Sequence, residues 1–246
     1  MPDQLTLARE VISRARSIAI LTGAGISAES GIGTFRDALT GLWARFKPEE
    51  LATAEAFLAD PKRVWEWYAW RRTTVAQALP NAGHAALAEL ERQSIARDAD
   101  FTLITQNVDG LHHVAGSRNV VELHGNIRRV MCFDHHHQAV SWSEVGEIPP
   151  RCAQCGSMLR PDVVWFGEML PEDALDAAMR ATRSCDVFLS VGTSSVVEPA
   201  ASLPLVARQA GAMVIEVNPD TTPVTAAAQI SLRGTAGEIL PGLLPH

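Results

Sequence analysis

Glycines and polar side chains follow each of five short apolar runs in the sequence. The runs occupy residues 17–22, 101–105, 120–123, 187–191 and 213–217. The first continues into residues 23–28, GAGISA, and the backbone N–H groups of such a glycine turn can bind a pyrophosphate. On its own this turn is equally typical of any tight connection from a strand to a helix, so the ends of the other runs carry more weight.

Groups that can contact a nucleotide recur at those other ends. The glycine-rich loop at 29–36 finishes in Phe35 and Arg36, a ring that can cover a ligand and a guanidinium that can hold it. Amides, hydroxyls and a carboxylate follow three further runs, at Gln106, Asn107 and Asp109, at residues 192–195 and at residues 218–220. Their convergence predicts a nucleotide site.

His124 follows the run at 120–123 and is a candidate general base. The unperturbed pKa of a histidine is about 6.5, so its neutral form can accept a proton near neutral pH. A lone histidine is more often structural or simply exposed, and its position at a strand end is what favours a catalytic role.

The elements between these runs predict a doubly wound α/β fold. Amphipathic or apolar stretches at 3–16, 82–96, 172–184 and 199–211 read as helices, and strands that alternate with helices form a parallel sheet. Ligands bind such sheets at the carboxyl ends of the strands. Residues 37–80, mostly helical, and 129–159, loops and short strands, interrupt the alternation and are interpreted as insertions that form a smaller module.

Composition excludes several classes of protein. Of the 246 residues, 47% are hydrophobic and 20% charged, which suits a packed interior rather than a disordered chain. The net charge of −7 argues against a general nucleic-acid binder. No apolar stretch is long enough to cross a membrane, and the first residues do not resemble a signal peptide. Four cysteines fit a reducing compartment, so we expect a cytoplasmic protein.

Six motifs in this order resemble the sirtuins, a family of NAD-dependent protein lysine deacylases. They are GAGISAESGIGTFR at 23–36, TQNVDGLHHVAG at 105–116, ELHG at 122–125, RPDVVWFGEMLP at 160–171, VGTSSVVEPAA at 191–201 and EVNPD at 216–220. The resemblance implies a Rossmann-like NAD-binding domain made of 1–36, 81–128 and 160–246. The insertions at 37–80 and 129–159 would form the small helical and zinc-binding module.

The resemblance also assigns the residues that would contact NAD as a co-substrate. Three groups follow the strand ends: Gly23, Ala24, Gly25, Phe35 and Arg36 in the cofactor loop; Gln106, Asn107 and Asp109 at the nicotinamide and its ribose; and Gly192, Thr193, Ser194, Asn218 and the backbone of Ala236 at the adenosine half. His124, with Asn107, would be catalytic.

The same family implies how an acyl-lysine peptide is bound and cleaved. Val164, Phe166, Gly167 and Glu168 lie in a segment that would pair with the peptide as a strand, and Val164 and Phe166 would line the acyl-lysine tunnel. The amide oxygen of the acyl-lysine would attack C1′ of the nicotinamide ribose, releasing nicotinamide. His124 would then take a proton from a ribose hydroxyl, and water would complete transfer to give free lysine and O-acyl-ADP-ribose.

Tyr68 and Arg71 are three residues apart and share a face if residues 64–72 form a helix. A phenol and a guanidinium on one face can hold a carboxylate, although a packing helix is the more ordinary interpretation of the spacing. Sirtuins that remove succinyl, malonyl and glutaryl groups resemble this chain in their Tyr-x-x-Arg and in a small residue like Ala52. The resemblance therefore implies activity on acidic acyl-lysines beside acetyl-lysine.

The sirtuin zinc site normally consists of two Cys-x-x-Cys pairs, and here one cysteine is missing. Cys152 and Cys155 form the second pair, whereas Cys132 is followed by His135 where the second cysteine of the first pair is expected. A Cys₃His site with His135 or a neighbour as the fourth ligand is chemically acceptable, and a degraded site that holds no zinc is the alternative. Cys185, at the start of a strand, is predicted to be a core residue.

Two other functions compete with deacylation. An NAD-dependent dehydrogenase would use the same polar strand ends, and a non-catalytic module would bind ADP-ribose, NAD or acyl-lysine without turnover. Release of nicotinamide separates the deacylase from both. Acyl-lysine proteins or peptides are the expected partners, with no membrane and no specific nucleic acid, and the sequence does not indicate an oligomeric state.

Overall fold

A six-stranded parallel sheet forms the centre of the protein. The computed structural model describes residues 3–33, 50–143 and 145–245. The strands are β1 (Ser17–Thr22), β2 (Asp100–Thr105), β3 (Val120–Glu122), β6 (Val187–Val191), β7 (Met213–Val217) and β8 (Ile230–Leu232), and they lie in the order β3-β2-β1-β6-β7-β8. This confirms the predicted doubly wound α/β fold.

Helices cover both faces of the sheet, which is why its strands read as unbroken apolar runs rather than alternating ones. The helices are α1 (Gln4–Arg14), α2 (Ala54–Ala59), α3 (Pro61–Gln77), α4 (Ala82–Ala96), α5 (Leu111–Ala115), α6 (Glu172–Ser184), α7 (Leu203–Gln209) and α8 (Ala236–Ile239). One core cluster joins α1, α4 and α8 to the sheet, and a second joins α6 and α7 to it. Across the described ranges, no helix is long and apolar enough to span a bilayer.

The register of the sheet brings the strand ends into one row. Thr22 of β1 lies opposite Thr105 of β2 on one side and opposite Val191 of β6 on the other. Chain order reverses between β1 and β6, because β2 and β3 extend the sheet on one side and β7 and β8 on the other. A crevice at such a reversal is where open α/β sheets bind ligands.

A smaller layer packs beside the carboxyl ends of the strands. β4 (Gly125–Cys132) and β5 (Leu159–Val163) form an antiparallel pair, and α3 contacts both strands. Phe57, Trp67, Tyr68 and Trp165 belong to one core cluster of this layer. Two helices therefore lie in the described part of the first insertion, 50–80, as expected.

The structure adds details that the periodicity did not predict. β8, in which Ile230 and Leu232 are buried, was not predicted. β4 begins before the expected boundary at 128, and β5 begins at Leu159 and extends past 160. The division into two domains at these positions stays a prediction.

Candidate active site

Backbone approaches backbone where the turn after β1 meets the turn after β6. The N–H of Gly25 donates to the carbonyl oxygen of Gly192 at 2.7 Å. A Cβ atom at Gly25 would lie 2.6 Å from that oxygen, and one at Gly23 would lie 2.8 Å from the Cα of Thr193. Gly192 also has a positive φ of 59°. Only glycine permits this approach, so the glycines of both motifs are explained by their contact with each other.

Asn107 and Asp109 hold that turn from the end of β2. The Asn107 amide donates to the carbonyl of Gly23 at 3.1 Å and to the hydroxyl of Ser27 at 3.1 Å. The Ser27 hydroxyl in turn donates to the Asp109 carboxylate at 2.7 Å, and the other oxygen of Asp109 accepts from the N–H of Leu111. Three buried polar side chains therefore satisfy one another at the crevice.

Gln106, Thr193 and Asn218 form a second chain of hydrogen bonds along the row of strand ends. The Gln106 amide donates to the Thr193 hydroxyl at 3.0 Å, and the Asn218 amide donates to the Thr193 carbonyl at 2.8 Å. Ser194 is half-buried, and the next residue, Ser195, has a buried hydroxyl with no hydrogen-bond partner among the described residues. The side chains predicted from three separate strand ends thus lie together.

Ala236 begins α8 next to the glycine turn. Its Cβ is buried against Gly83 of α4, and the N–H of Gly237 donates to the Glu29 carboxylate at 2.7 Å. Thr235 caps α8 through a reciprocal pair of hydrogen bonds with Glu238. The segment around Ala236 is therefore tied to the loop that follows β1.

His124 is held in one tautomer at the end of β3. Its Nδ1 lies 2.9 Å from the carbonyl oxygen of Gln106, which can only accept, so Nδ1 carries the proton and Nε2 keeps its lone pair. Burial lowers the pKa of His124 below 6.5, against the opposing effect of the Gln106 hydrogen bond. The imidazole is therefore neutral at pH 7 and able to accept a proton at Nε2.

Two buried histidines that were not singled out in the sequence lie beneath this site. His84 and His112 have ring centroids 4.9 Å apart. Nε2 of His112 is 3.0 Å from the Thr22 hydroxyl, and Nε2 of His84 is 3.5 Å from that of Ser27. Burial, together with the neighbouring His84, lowers the pKa of His112 to about 3, so this ring is neutral. No sequence signal distinguished these histidines from surface ones.

The segment after β5 is fixed to both neighbouring elements. The N–H of Val164 donates to the carbonyl of His124 at 2.9 Å, and the N–H of Phe166 donates to the carbonyl of Ala52 at 2.9 Å. Phe166 and Gly167 are exposed, and Gly167 has a φ of 87°. Glu168 turns back and accepts from the N–H of Trp165 at 2.8 Å. The predicted peptide segment thus lies between the histidine and the helical layer.

Tyr68 and Arg71 lie on α3, where Tyr68 belongs to the core of the small layer and Arg71 is half-buried. Tyr68 is buried, and its hydroxyl accepts from Nε1 of Trp165 at 3.0 Å. Burial raises the pKa of Tyr68 to about 12, so it remains a phenol. Burial also lowers the pKa of Arg71, while the negative charge of Asp109 opposes that change. The Arg71 guanidinium is therefore close enough to interact electrostatically with the Asp109 carboxylate of the crevice.

Three cysteines and a histidine form a compact cluster, but the histidine is His137 rather than His135. Ligand atoms of Cys132, His137 and Cys152 lie within 4.8 Å of one another, and Sγ of Cys155 is 3.5 Å from Sγ of Cys132. A tight turn explains the correction, since the N–H of Cys132 donates to the carbonyl of His137 and brings it beside the first cysteine. His135 lies exposed within the turn. Cys185 is buried in the core, as predicted.

Two predicted site residues have no described position, and one buried arginine beside the site was missed. Phe35 and Arg36 lie outside the described residues. Arg160, which the sequence did not single out, is 1% exposed, forms an ion pair with Glu168 and lies 3.4 Å from the ring centroid of Trp165. Sequence spacing carries little signal for such a contact, because the three residues meet only through the turn after β5.

Comparison with known proteins gives one consistent result. Residues 23–199 match the Sir2 family. An "NAD-dependent protein deacylase 1" from Archaeoglobus fulgidus is 53% identical over 96% of this chain and 95% of its own length.

Solved structures agree with this sequence match. The structure of a Sir2 homolog in complex with NAD is 52% identical, with a TM-score of 0.88 over 97% of this chain and 91% of that one. A structure of a Sir2 protein bound to a myristoylated histone peptide is 36% identical, with a TM-score of 0.75 over 99% of this chain and 95% of that one.

Proposed function

The chain belongs to the Sir2 family and is an NAD-dependent protein deacylase, and we propose that it removes succinyl and malonyl groups, as well as acetyl groups, from lysine side chains. The products would be nicotinamide, free lysine and O-acyl-ADP-ribose. The acidic preference rests on one observation, the buried phenol of Tyr68 beside the half-buried guanidinium of Arg71. A phenol O–H and a guanidinium can both donate to a carboxylate, and desolvation strengthens that pairing.

The residues around the crevice fit NAD as the co-substrate. The glycine turns at 23–25 and 192 contact each other through their backbones at the carboxyl ends of β1 and β6, and in the second turn the Ser195 hydroxyl is buried without a hydrogen-bond partner among the described residues. The ADP-ribose part would be held by Gly23, Ala24, Gly25, Gly192, Thr193, Ser194, Asn218 and Ala236, together with Phe35 and Arg36, which lie outside the described residues. Gln106, Asn107 and Asp109 would contact the nicotinamide and its ribose. NAD supplies the electrophilic ribose carbon, and the chain supplies orientation and a base.

His124 would act as that base, with Asn107 as the second catalytic residue. The Gln106 carbonyl holds the Nδ1 proton, so a ribose hydroxyl would deliver its proton to Nε2. The lowered pKa keeps the ring neutral before that transfer. The Asn107 amide is already fixed by Gly23 and Ser27 and would position the ribose. Positioning matters because the acyl-lysine amide is a weak nucleophile.

The acyl-lysine peptide would lie along residues 164–168 as an added strand. The N–H groups of Val164 and Phe166 donate to the carbonyl oxygens of His124 and Ala52, and Phe166 and Gly167 are exposed, where a peptide could reach them. Glu168 stabilises the turn at the end of the segment. Val164 and Phe166 would also wall the acyl tunnel, and the small Ala52 would leave space for an acyl chain that carries a carboxylate.

The cysteine cluster fits a structural zinc ion. In a tetrahedral site with Zn–S bonds of about 2.3 Å, neighbouring sulfurs are about 3.8 Å apart. The 3.5 Å between Sγ of Cys132 and Sγ of Cys155 is close to that spacing, and Nε2 of His137 lies 3.1 Å from Sγ of Cys152 in the same cluster. Cys132, His137, Cys152 and Cys155 would therefore hold the ion, which would fix the turn regions of the small layer.

We further propose a cytoplasmic location, supported by four cysteines that form no disulfide.

Kinetics of Arg71→Met test the acidic preference. The variant and the wild type are compared on succinyl-lysine and acetyl-lysine peptides of one sequence, with NAD in excess. We expect the ratio of kcat/KM on succinyl to that on acetyl to fall by about 100-fold, as for loss of a charge-assisted contact of roughly 3 kcal/mol.

A matched control for Arg71→Met is Arg72→Met on the same helix, whose guanidinium stacks over Trp65, 4.9 Å from the ring centroid. The control should leave the ratio of the two activities unchanged. Equal losses on both substrates in Arg71→Met would contradict the proposal.

A further inference from the structure

Trp165 is held rigidly between two charged or polar partners. It is 2% exposed, and the guanidinium of Arg160 lies 3.4 Å from its ring centroid. Its backbone N–H donates to Glu168, which is itself paired with Arg160. Phe57 packs against the indole with centroids 5.3 Å apart. The indole therefore has little freedom to turn, and the direction of its N–H is set by the fold.

The partner of that N–H is the Tyr68 hydroxyl, at 3.0 Å. An indole N–H can only donate, so it occupies an acceptor position of the phenol oxygen. The phenolic proton must then point elsewhere, and the phenol keeps it because burial raises the pKa of Tyr68 to about 12. The hydroxyl is thus polarised by one donor and prepared to donate to an acceptor.

We propose that Trp165 is a positioning residue that orients the Tyr68 hydroxyl as a donor toward an acyl carboxylate. This rests on the proposed function, because it assigns a cause to the acidic preference of the same pocket. Arg160 and Glu168 fix the indole, so recognition of the acyl group by α3 is linked to the segment proposed to bind the peptide. The charge of Arg71 attracts the acyl carboxylate, and the oriented Tyr68 hydroxyl donates to it only when the carboxylate lies in one position.

Trp165→Phe tests this by removing the N–H and keeping a ring for Arg160 and Phe57 to contact. The assay measures KM for a succinyl-lysine peptide and for a butyryl-lysine peptide of the same sequence, since butyryl is a neutral chain of similar length. KM does not depend on how much enzyme is folded, so partial misfolding does not imitate the effect. We expect KM for succinyl to rise about fivefold relative to butyryl, which corresponds to roughly 1 kcal/mol.

Trp65→Phe is the matched control. Trp65 is a buried indole on α3, 1% exposed, but its Nε1 has no hydrogen-bond partner among the described residues. Its replacement should leave the ratio of the two KM values unchanged. In a Tyr68→Phe background, Trp165→Phe should produce no further change in that ratio, because the hydroxyl that it orients is already absent.

Four outcomes would overturn the inference. One is an equal rise of both KM values in Trp165→Phe, which would indicate a purely structural indole. Another is a full additional effect of Trp165→Phe in the Tyr68→Phe background. If Arg71→Met and Tyr68→Phe both leave the succinyl preference intact, the proposed acidic specificity fails as well. If those two variants lower it and Trp165→Phe does not, only the role of Trp165 is wrong.

Discussion

Replacing Gly25 by alanine tests whether the close approach of two backbone turns builds the cofactor crevice. The added Cβ would lie 2.6 Å from the carbonyl oxygen of Gly192 and 2.8 Å from its Cα. Ordinary van der Waals contact begins near 3.4 Å, so the turns after β1 and β6 would have to separate by about 0.8 Å. Both sides of the contact are backbone, so no side chain can rotate to relieve it.

Two effects of different size follow from that separation. Overpacking of this kind costs about 1–3 kcal/mol of stability, and the hydrogen bond from the Gly25 N–H to Gly192 would be stretched or lost. A displacement approaching 1 Å in a positioning loop lowers activity by about 10- to 100-fold. We therefore expect Gly25→Ala to fold with a lowered Tm and to bind NAD at least about tenfold more weakly.

Calorimetric titration of NAD, with thermal unfolding of the same samples, measures both effects. Gly33→Ala is the matched control, because a Cβ at Gly33 meets no heavy atom of the described residues within 4 Å. The control should keep the wild-type Tm and NAD affinity. Wild-type affinity in Gly25→Ala would refute the reasoning, because it would show that the contact with Gly192 does not shape the crevice.

Three further predictions concern histidines. Burial lowers the pKa of His112 to about 3 in the folded state, so the unfolded state binds more protons than the folded state below pH 6.5. The contribution of His112 should therefore lower the free energy of unfolding by about 2 kcal/mol between pH 7 and pH 5. Denaturant unfolding of the wild type and His112→Gln checks it, and equal pH slopes would refute it. Because burial lowers the pKa of His124, the acid limb of kcat/KM should have its midpoint below 6.5, and a midpoint above 7 would contradict a neutral base. The His137→Ala variant should lose its zinc and the His135→Ala variant should keep it, as measured by elemental analysis. The reverse result would reject His137 as the fourth ligand.

Local sequence patterns predicted the elements whose signal is contained in a few neighbouring residues. The five apolar runs became β1, β2, β3, β6 and β7. Four of these strands are largely buried and were recognised as continuous apolar runs, whereas β3 is a half-buried edge strand that was recognised from its two valines. The glycine turns were recognisable because only glycine fits where two backbones meet. β8 was missed because it has only two buried residues, Ile230 and Leu232, and its pairing with β7 is a contact that no short window contains.

The fourth member of the cysteine cluster shows where spacing fails. A Cys-x-x-Cys pattern points to the residue three positions after Cys132, which is His135. The backbone between Cys132 and His137 closes into a turn in which His136 has a φ of 54°, and the ring that reaches the cysteines is therefore two residues later. Trp165 was missed because its partners Tyr68 and Phe57 lie on other elements, and Arg160 was missed because it meets Trp165 and Glu168 only through the turn after β5.

The central claim, NAD-dependent removal of acidic acyl groups, is tested most directly by one panel of lysine peptides with the wild-type protein. Succinyl, malonyl, acetyl and myristoyl forms of one peptide are incubated with NAD, and nicotinamide and free lysine are measured together. The account predicts equal amounts of the two products and a higher kcat/KM for the succinyl and malonyl forms than for the acetyl and myristoyl forms. Turnover confined to acetyl or myristoyl peptides, or no nicotinamide released with any peptide, would contradict it.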